Sequence, residues 1–299
     1  MLPDEPVRPH PEGPVQLPGC YRHPERETGV GCSRCGRPIC PACMVSASVG
    51  FHCPACVAGE GSAARPARPA RTRFGGLPVG DGALVTKVLI GLNLLVFVLT
   101  EYVSQAWGVR LAMLSGTSFG GVPVRYGVAA GPEEWYRIAT AVFVHAGPFH
   151  VLMNMVSLWV LGPQLERVLG RSRFLALYLV SGLAGNAFAY VVTGGTVYSV
   201  GASGAIFGLL GATAVLFRAN RAPLGPVMAL LVFNLVITFS VSAIDWRAHI
   251  GGLVAGAVTA AGLMYAPPAR RNLVQGLTVA GVLGAVVLMV AVQTALLAG

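Results

Sequence analysis

The sequence predicts an all-α polytopic membrane protein with a small cysteine-rich domain at its amino end. Three observations carry that prediction. Of 299 residues, 54% are hydrophobic and only 11% are charged, well below the roughly 25% of charged residues in ordinary soluble domains. Apolar runs near the ~20 residues needed to cross lipid recur from residue 84 to residue 297. All seven cysteines fall within residues 20–56, ahead of the first run.

The cysteines come in pairs: Cys20-x-x-His23, Cys32-x-x-Cys35, Cys40-x-x-Cys43 and Cys53-x-x-Cys56. A two-residue gap lets both side chains of a pair reach one tetrahedral ion from a tight turn, the requirement of structural zinc sites. With His23 the pairs supply eight ligands, enough for two closed zinc sites. A disulfide framework is the alternative, and it leaves one cysteine odd. The compact spacing resembles B-box and RING-like binuclear fingers. That resemblance implies crosswise sharing, with Cys20, His23, Cys40 and Cys43 on one ion and Cys32, Cys35, Cys53 and Cys56 on the other. A closed site has no open position for a substrate, so the module is expected to be structural or to bind a cytoplasmic protein partner. A ubiquitin-ligase-like role and a substrate-docking role both fit it. His10 and His52 are left over; His52 could replace a neighbouring ligand, but both are expected to be plain exposed histidines.

The domain boundaries follow from composition: a finger over 1–60, an Arg/Pro/Ala linker over 61–80, a membrane core over 81–266, and a loop with an added helix over 267–299. The net charge of +9 does not indicate a nucleic-acid partner, because the arginines sit in the linker and in short loops, where they set topology. Residues 1–20 contain no apolar core of a signal peptide.

Seven spans are expected, at about 84–103, 149–165, 172–193, 201–217, 224–242, 247–266 and 273–297. Arg65, Arg68, Arg71 and Arg73 precede the first. Arg167, Arg171 and Arg173 lie between spans two and three, Arg218 and Arg221 between four and five, and Arg270 and Arg271 between six and seven. The positive-inside rule then puts the amino terminus, the finger and these loops in the cytoplasm, where reduced thiolates suit metal. The uncharged loop 194–200 belongs outside. The loop 104–148 is long and rich in apolar side chains, including Trp107, Leu111, Met113, Leu114, Trp135, Tyr136 and Phe143. Such a loop is expected to carry structure of its own, lying in the outer interface.

Spans two, four and six all run from outside to inside, and each opens with polar residues: His150 and Asn154, Ser203, and Asp245 with His249. Polar side chains at membrane depth are costly and mark sites, and here three segments agree on depth. His150 and Asn154 are four apart and share a helix face. Gly204 and Gly208, with Gly252 and Gly256, form small-xxx-small seams that admit close helix contact. Packing the seams brings Ser203 and His249 together as nucleophile and general base. Ser203 at a helix start has free N–H groups for an oxyanion, and His150 and Asn154 can add side-chain donors. Asp245 either orients His249 as a third member or caps span six; the cap is the reading adopted, so the unit is a dyad. Asn93, Asn186 and Asn234 are expected to make hydrogen bonds between helices.

These residues resemble the rhomboid family of intramembrane serine proteases over about residues 84–266. The motifs are Glu134-Trp135-Tyr136-Arg137, His145-Ala146-Gly147, His150-x-x-x-Asn154, Gly162-Pro163-Gln164-Leu165-Glu166-Arg167, Gly201-Ala202-Ser203-Gly204, and Ala248-His249-Ile250-Gly251-Gly252-x-x-x-Gly256. The resemblance implies a six-helix core with a seventh carboxy-terminal helix, Ser203 as nucleophile, His249 as base, and an oxyanion site including His150 and Asn154. It also implies a multi-pass plasma-membrane protein that needs no cofactor for catalysis and cleaves transmembrane protein substrates in the lipid bilayer, near the outer face. The long loop and the fifth span would gate substrate entry. One departure is Phe207, where family members often carry a tyrosine. Two other readings compete. A catalytically silent rhomboid-like protein binding clients would be expected to lack the serine or the histidine. A transporter would place its polar residues nearer the midplane, in repeat-related pairs.

Overall fold

The computed structural model describes residues 17–59, 71–80, 83–119, 122–242 and 244–299. His10 and the linker arginines Arg65 and Arg68 lie outside the described residues. The chain divides into two compact units, Met1–Pro69 and Ala70–Gly299.

The first unit pairs β1 (Val45–Ser46) with β2 (Phe51–His52) antiparallel, with Val45 opposite His52. The four-residue helix α1 (Pro54–Val57) follows, and Cys53 caps it by accepting from the Cys56 N–H at 3.4 Å. Among the described residues the apolar interior of the unit consists of six cysteines and Ile39, with Cys35, Tyr21, Met44 and Ala55 packed around them. So small an apolar core cannot stabilise a fold of this size unaided.

The second unit opens with a turn. The Gly75 N–H donates to Thr72 O at 2.8 Å, and Phe74 is buried. Gln275 holds this turn by donating to Phe74 O at 3.0 Å. The last part of the stretch that composition assigns to the linker is therefore built into the membrane domain. Next come α2 (Leu84–Val98), continued by a π-helical turn over Leu99–Val103, then α3 (Gln105–Leu111), β3 (Met113–Phe119), β4 (Val122–Gly127) and α4 (Tyr136–Thr140). The long helices α5 (Pro148–Leu169) and α6 (Arg171–Val192) follow. After β5 (Val197–Ser199) come α7 (Ser203–Ala219), α8 (Gly225–Ser240), α9 (Trp246–Met264) and α10 (Arg271–Leu296).

Each of the seven expected spans thus has its helix. Leu84–Val103, Arg171–Val192 and Pro268–Leu296 are long and apolar enough to cross a membrane on their own, and Pro132–Phe143 with Pro148–Leu169 qualifies as a pair bent by 77°. Helices α7 and α8 are apolar but short. The 17 residues of α7 span about 26 Å against a hydrocarbon layer of about 30 Å, so α7 cannot reach both faces. It is largely enclosed, with 11 of its 17 residues buried, and it packs between α6 and α9. Protein rather than lipid therefore surrounds the end that stops short, the condition under which irregular backbone is tolerated at membrane depth.

The 104–148 segment carries structure of its own, as expected. In addition, β4, β3 and β5 form an antiparallel sheet with Ser115 opposite Gly127 and Met113 opposite Ser199. Arg137 closes the segment. It pairs with Glu134 and donates to Val109 O at 2.7 Å and Ala112 O at 3.2 Å. The asparagines divide. Asn186 donates to Ile138 O at 2.9 Å and Asn93 to Tyr178 Oη at 3.4 Å, both between segments. Asn234 departs from the expectation: it is half-buried and donates within its own helix, to Leu230 O at 2.8 Å. Among the described residues no neighbouring helix offers it a hydrogen bond.

Glu166 explains another of the sequence motifs. It is fully buried and accepts from the Val85 N–H and Thr86 N–H, each at 2.9 Å, and from the Thr86 hydroxyl at 2.8 Å. It thus caps the start of α2 from another helix, satisfying N–H groups that α2 cannot. Glu166→Ala should cost about 3 kcal/mol, because it orphans two buried donors on Thr86 and the half-buried N–H of Val85, and Glu166→Gln should cost less. Thermal unfolding in detergent checks this; an alanine variant as stable as the parent would contradict it.

Candidate active site and candidate metal centres

The seam expected between spans four and six is present. A Cβ added at Gly252 would strike the carbonyl of Gly204, and one at Gly256 would strike the backbone of Gly208. Helices α7 and α9 therefore touch backbone to backbone. Ser203 and His249 each sit just amino-terminal to this contact, on the two helices it joins.

The ring of Phe207 stacks on the imidazole of His249, with centroids 4.1 Å apart and planes 17° from parallel. Ser203 and Phe207 are four apart on one face of α7, so stacking on Phe207 holds the imidazole along the face that carries Ser203. The missing tyrosine hydroxyl does not prevent this stack. His249 is buried, whereas Ser203 is half-buried and makes no side-chain hydrogen bond among the described residues.

The residues before Ser203 meet α5. Gly201 has φ +117, a conformation open to glycine, and its N–H donates to Ala141 O at 2.9 Å. A Cβ on Gly201 would lie 2.7 Å from His150 Nε2 and 3.7 Å from Asn154 Nδ2. Both side chains therefore face the turn that leads into the serine. Two bonds fix them. The Ala146 N–H donates to His150 Nδ1 at 3.4 Å, and Asn154 donates to His150 O at 3.1 Å. An Nδ1 that accepts leaves the proton of a neutral imidazole on Nε2, the nitrogen facing Gly201. Asn154 retains a second N–H.

Asp245 behaves as a cap, accepting from the Arg247 N–H at 3.1 Å. The partner of His249 is instead Thr238 on α8, whose Oγ1 lies 2.8 Å from His249 Nδ1. No sequence signal points to this residue. A threonine in an apolar helix is commonplace, and the pairing joins two different helices.

In the amino-terminal unit the ligand atoms form two groups, Cys20, His23, Cys40 and Cys43, and Cys32, Cys35, Cys53 and Cys56, with the atoms of each within 4.8 Å of one another. This is the crosswise arrangement expected. His23 presents Nδ1, at 3.4 Å from the Cys40 sulfur and 3.3 Å from that of Cys43. The Cys35 and Cys53 sulfurs are 3.7 Å apart, too far for a disulfide and close to the ~3.8 Å edge of a tetrahedron with Zn–S bonds of about 2.3 Å. Burial acts to raise the thiols of Cys20 and Cys32, yet backbone hydrogen bonds outweigh it and bring both down to about 6. Burial and the neighbouring thiols push Cys43 up to about 11 and Cys56 to about 12. Thiols so crowded deprotonate together only around a cation, so the donors fit a metal ion. A fragment covering residues 1–60 should bind two zinc ions, and a chelator should unfold it, as read by metal analysis and circular dichroism. One ion, or none, would refute the crosswise assignment.

The Rhomboid domain family matches residues 132–266. The rhomboid protease GluP of Bacillus subtilis (strain 168) is 34% identical over 183 residues, covering 60% of this chain and 34% of that protein. YdcA of the same organism is 40% identical over 135 residues, 44% of this chain and 67% of that protein. RHOMBOID-like protein 5 of Arabidopsis thaliana is 30% identical over 223 residues, 64% of this chain and 71% of that protein. The match thus spans about a third of GluP and about two thirds or more of the other two.

Proposed function

From the premise that this chain belongs to the rhomboid family, we propose that it is an intramembrane serine endopeptidase whose nucleophile is Ser203 and whose general base is His249. The observations that support the reading are the backbone contact between α7 and α9, the helices that carry these two residues, the stack of Phe207 on His249, and the approach of His150 and Asn154 to Gly201.

The chemistry follows from the geometry. Ser203 Oγ attacks the scissile carbonyl carbon while His249 Nε2 takes its proton. The carbonyl oxygen becomes an oxyanion, met by N–H groups at the start of α7, by His150 Nε2–H and by Asn154. His249 then gives its proton to the leaving amine. Water, deprotonated by the same imidazole, hydrolyses the acyl-enzyme. The substrates are transmembrane segments of other proteins, cut near the outer face of the cell membrane, with the amino terminus in the cytoplasm. The metal clusters, read as zinc sites, take no part in this chemistry; they hold the amino-terminal unit together and present it to a cytoplasmic partner.

A fluorophosphonate probe tests the proposal directly. It should label the native protein in membranes and leave Ser203→Ala unlabelled. Absence of labelling in a folded native protein would favour a client-binding, catalytically silent role instead.

A further inference from the structure

Helix α8 is held to the rest of the molecule thinly. Of its residues only Val227 and Thr238 are buried. The Thr238 hydroxyl makes two bonds, one of 2.7 Å to the carbonyl of Asn234 a turn earlier and one of 2.8 Å to His249 Nδ1. A hydroxyl has a single proton. The carbonyl of Asn234 can only accept, so Thr238 gives its proton there and its oxygen must accept from the imidazole. Nδ1 therefore carries hydrogen, and in the neutral ring Nε2 carries a lone pair.

We propose that Thr238 is the positioning residue of the catalytic base: it selects the tautomer of His249 whose Nε2 can take the proton of Ser203. In the serine–histidine–aspartate arrangement a carboxylate fixes tautomer and ring orientation. Here a neutral hydroxyl does so, polarised by the carbonyl it donates to. A neutral acceptor suits this depth, because a carboxylate among apolar helices would be costly. Phe207 fixes the plane of the ring and Thr238 its rotation within that plane, so the two contacts leave the imidazole one productive setting. The arrangement also ties the competence of the base to α8: if the end of α8 that carries Thr238 moves away, the acceptor goes with it.

The inference rests on the proposed protease reading, and the test separates the two. Thr238→Val keeps the shape of the side chain and removes the acceptor; Thr238→Ser keeps the hydroxyl. Cleavage of a reporter transmembrane substrate in proteoliposomes should show kcat lowered about 10- to 100-fold in Thr238→Val with KM little changed, the signature of an interaction that acts in the transition state. Thr238→Ser should recover to within about threefold of the native rate. Nitrogen-15 spectra of labelled His249 should show protonated Nδ1 in the native protein and in Thr238→Ser, and a population with protonated Nε2 in Thr238→Val. Thermal unfolding in detergent identifies any loss that is only structural, and the spectra carry the test in that event. Native kcat and an unchanged tautomer in Thr238→Val, beside an inactive Ser203→Ala, would overturn the role of Thr238 and leave the protease reading standing. An active Ser203→Ala would overturn both.

Discussion

Ser203→Ala is expected to lower kcat for a transmembrane reporter by about 10⁴-fold or more, with the protein still folded. The size follows from the chemistry: without the hydroxyl there is no acyl-enzyme, and what remains is oxyanion stabilisation and binding alone. Stability should hardly change, since Ser203 is half-buried and no hydrogen bond of its side chain is lost among the described residues. His249→Ala should fall by a similar factor, and the double variant little further, because the two residues act as one unit. Asn154→Ala removes a single oxyanion donor and should cost about 10²-fold, or roughly 3 kcal/mol of transition-state stabilisation. Rates measured in proteoliposomes with product identification check the series. Full activity in Ser203→Ala or His249→Ala would end the dyad assignment, and an Asn154→Ala enzyme at native kcat would remove Asn154 from the oxyanion site.

What could be read from the sequence was what local pattern controls. Seven helices stand where seven apolar runs stand, because in lipid a run of that length satisfies its backbone only by coiling. The glycine seams could be read because a repeat of four falls on one helix face, and the metal clusters because a two-residue gap brings paired ligands together. Pairings between distant segments could not be read. Nothing about Thr238 distinguishes it from Thr213 or Thr259, which are also buried in neighbouring helices; its role follows only once α8 lies against α9. The sheet that joins β3 and β4 to β5 was hidden for the same reason, since β5 is three residues long and is ordered by its partner. Phe74 reads as linker because its neighbours are arginine and glycine, and it becomes core only by packing into the apolar cluster of the membrane helices. Asn234 shows the reverse error: an amide in an apolar helix suggests a partner helix, yet on a sparsely packed helix its own carbonyl ladder supplies the acceptor.

The seam supplies the second large effect, and it links fold to site in one substitution. A Cβ at Gly252 meets the Gly204 carbonyl and one at Gly256 meets the Gly208 backbone, in each case backbone rather than a side chain that can swing aside. The only relief is for α7 and α9 to part. Gly252→Val should therefore destabilise the protein by about 3 kcal/mol, at the upper end of overpacking costs, and should end fluorophosphonate labelling of Ser203, because parting the helices draws His249 away from the serine. Gly276→Ala and Gly281→Ala on α10 are the matched controls. A Cβ there meets nothing within 4 Å, so each should be neutral or stabilising by up to about 1 kcal/mol through helix propensity. Thermal unfolding in detergent and probe labelling, run on all three variants, separate the outcomes. If Gly252→Val keeps native stability and labelling, the close contact of α7 with α9 is not what assembles the site. If the α10 variants fail as badly as Gly252→Val, general intolerance to added side chains explains the loss. If Gly252→Val alone fails in both measurements, contact between two backbones at Gly204 and Gly252 is what keeps a serine and a histidine from separate helices within reach of one proton.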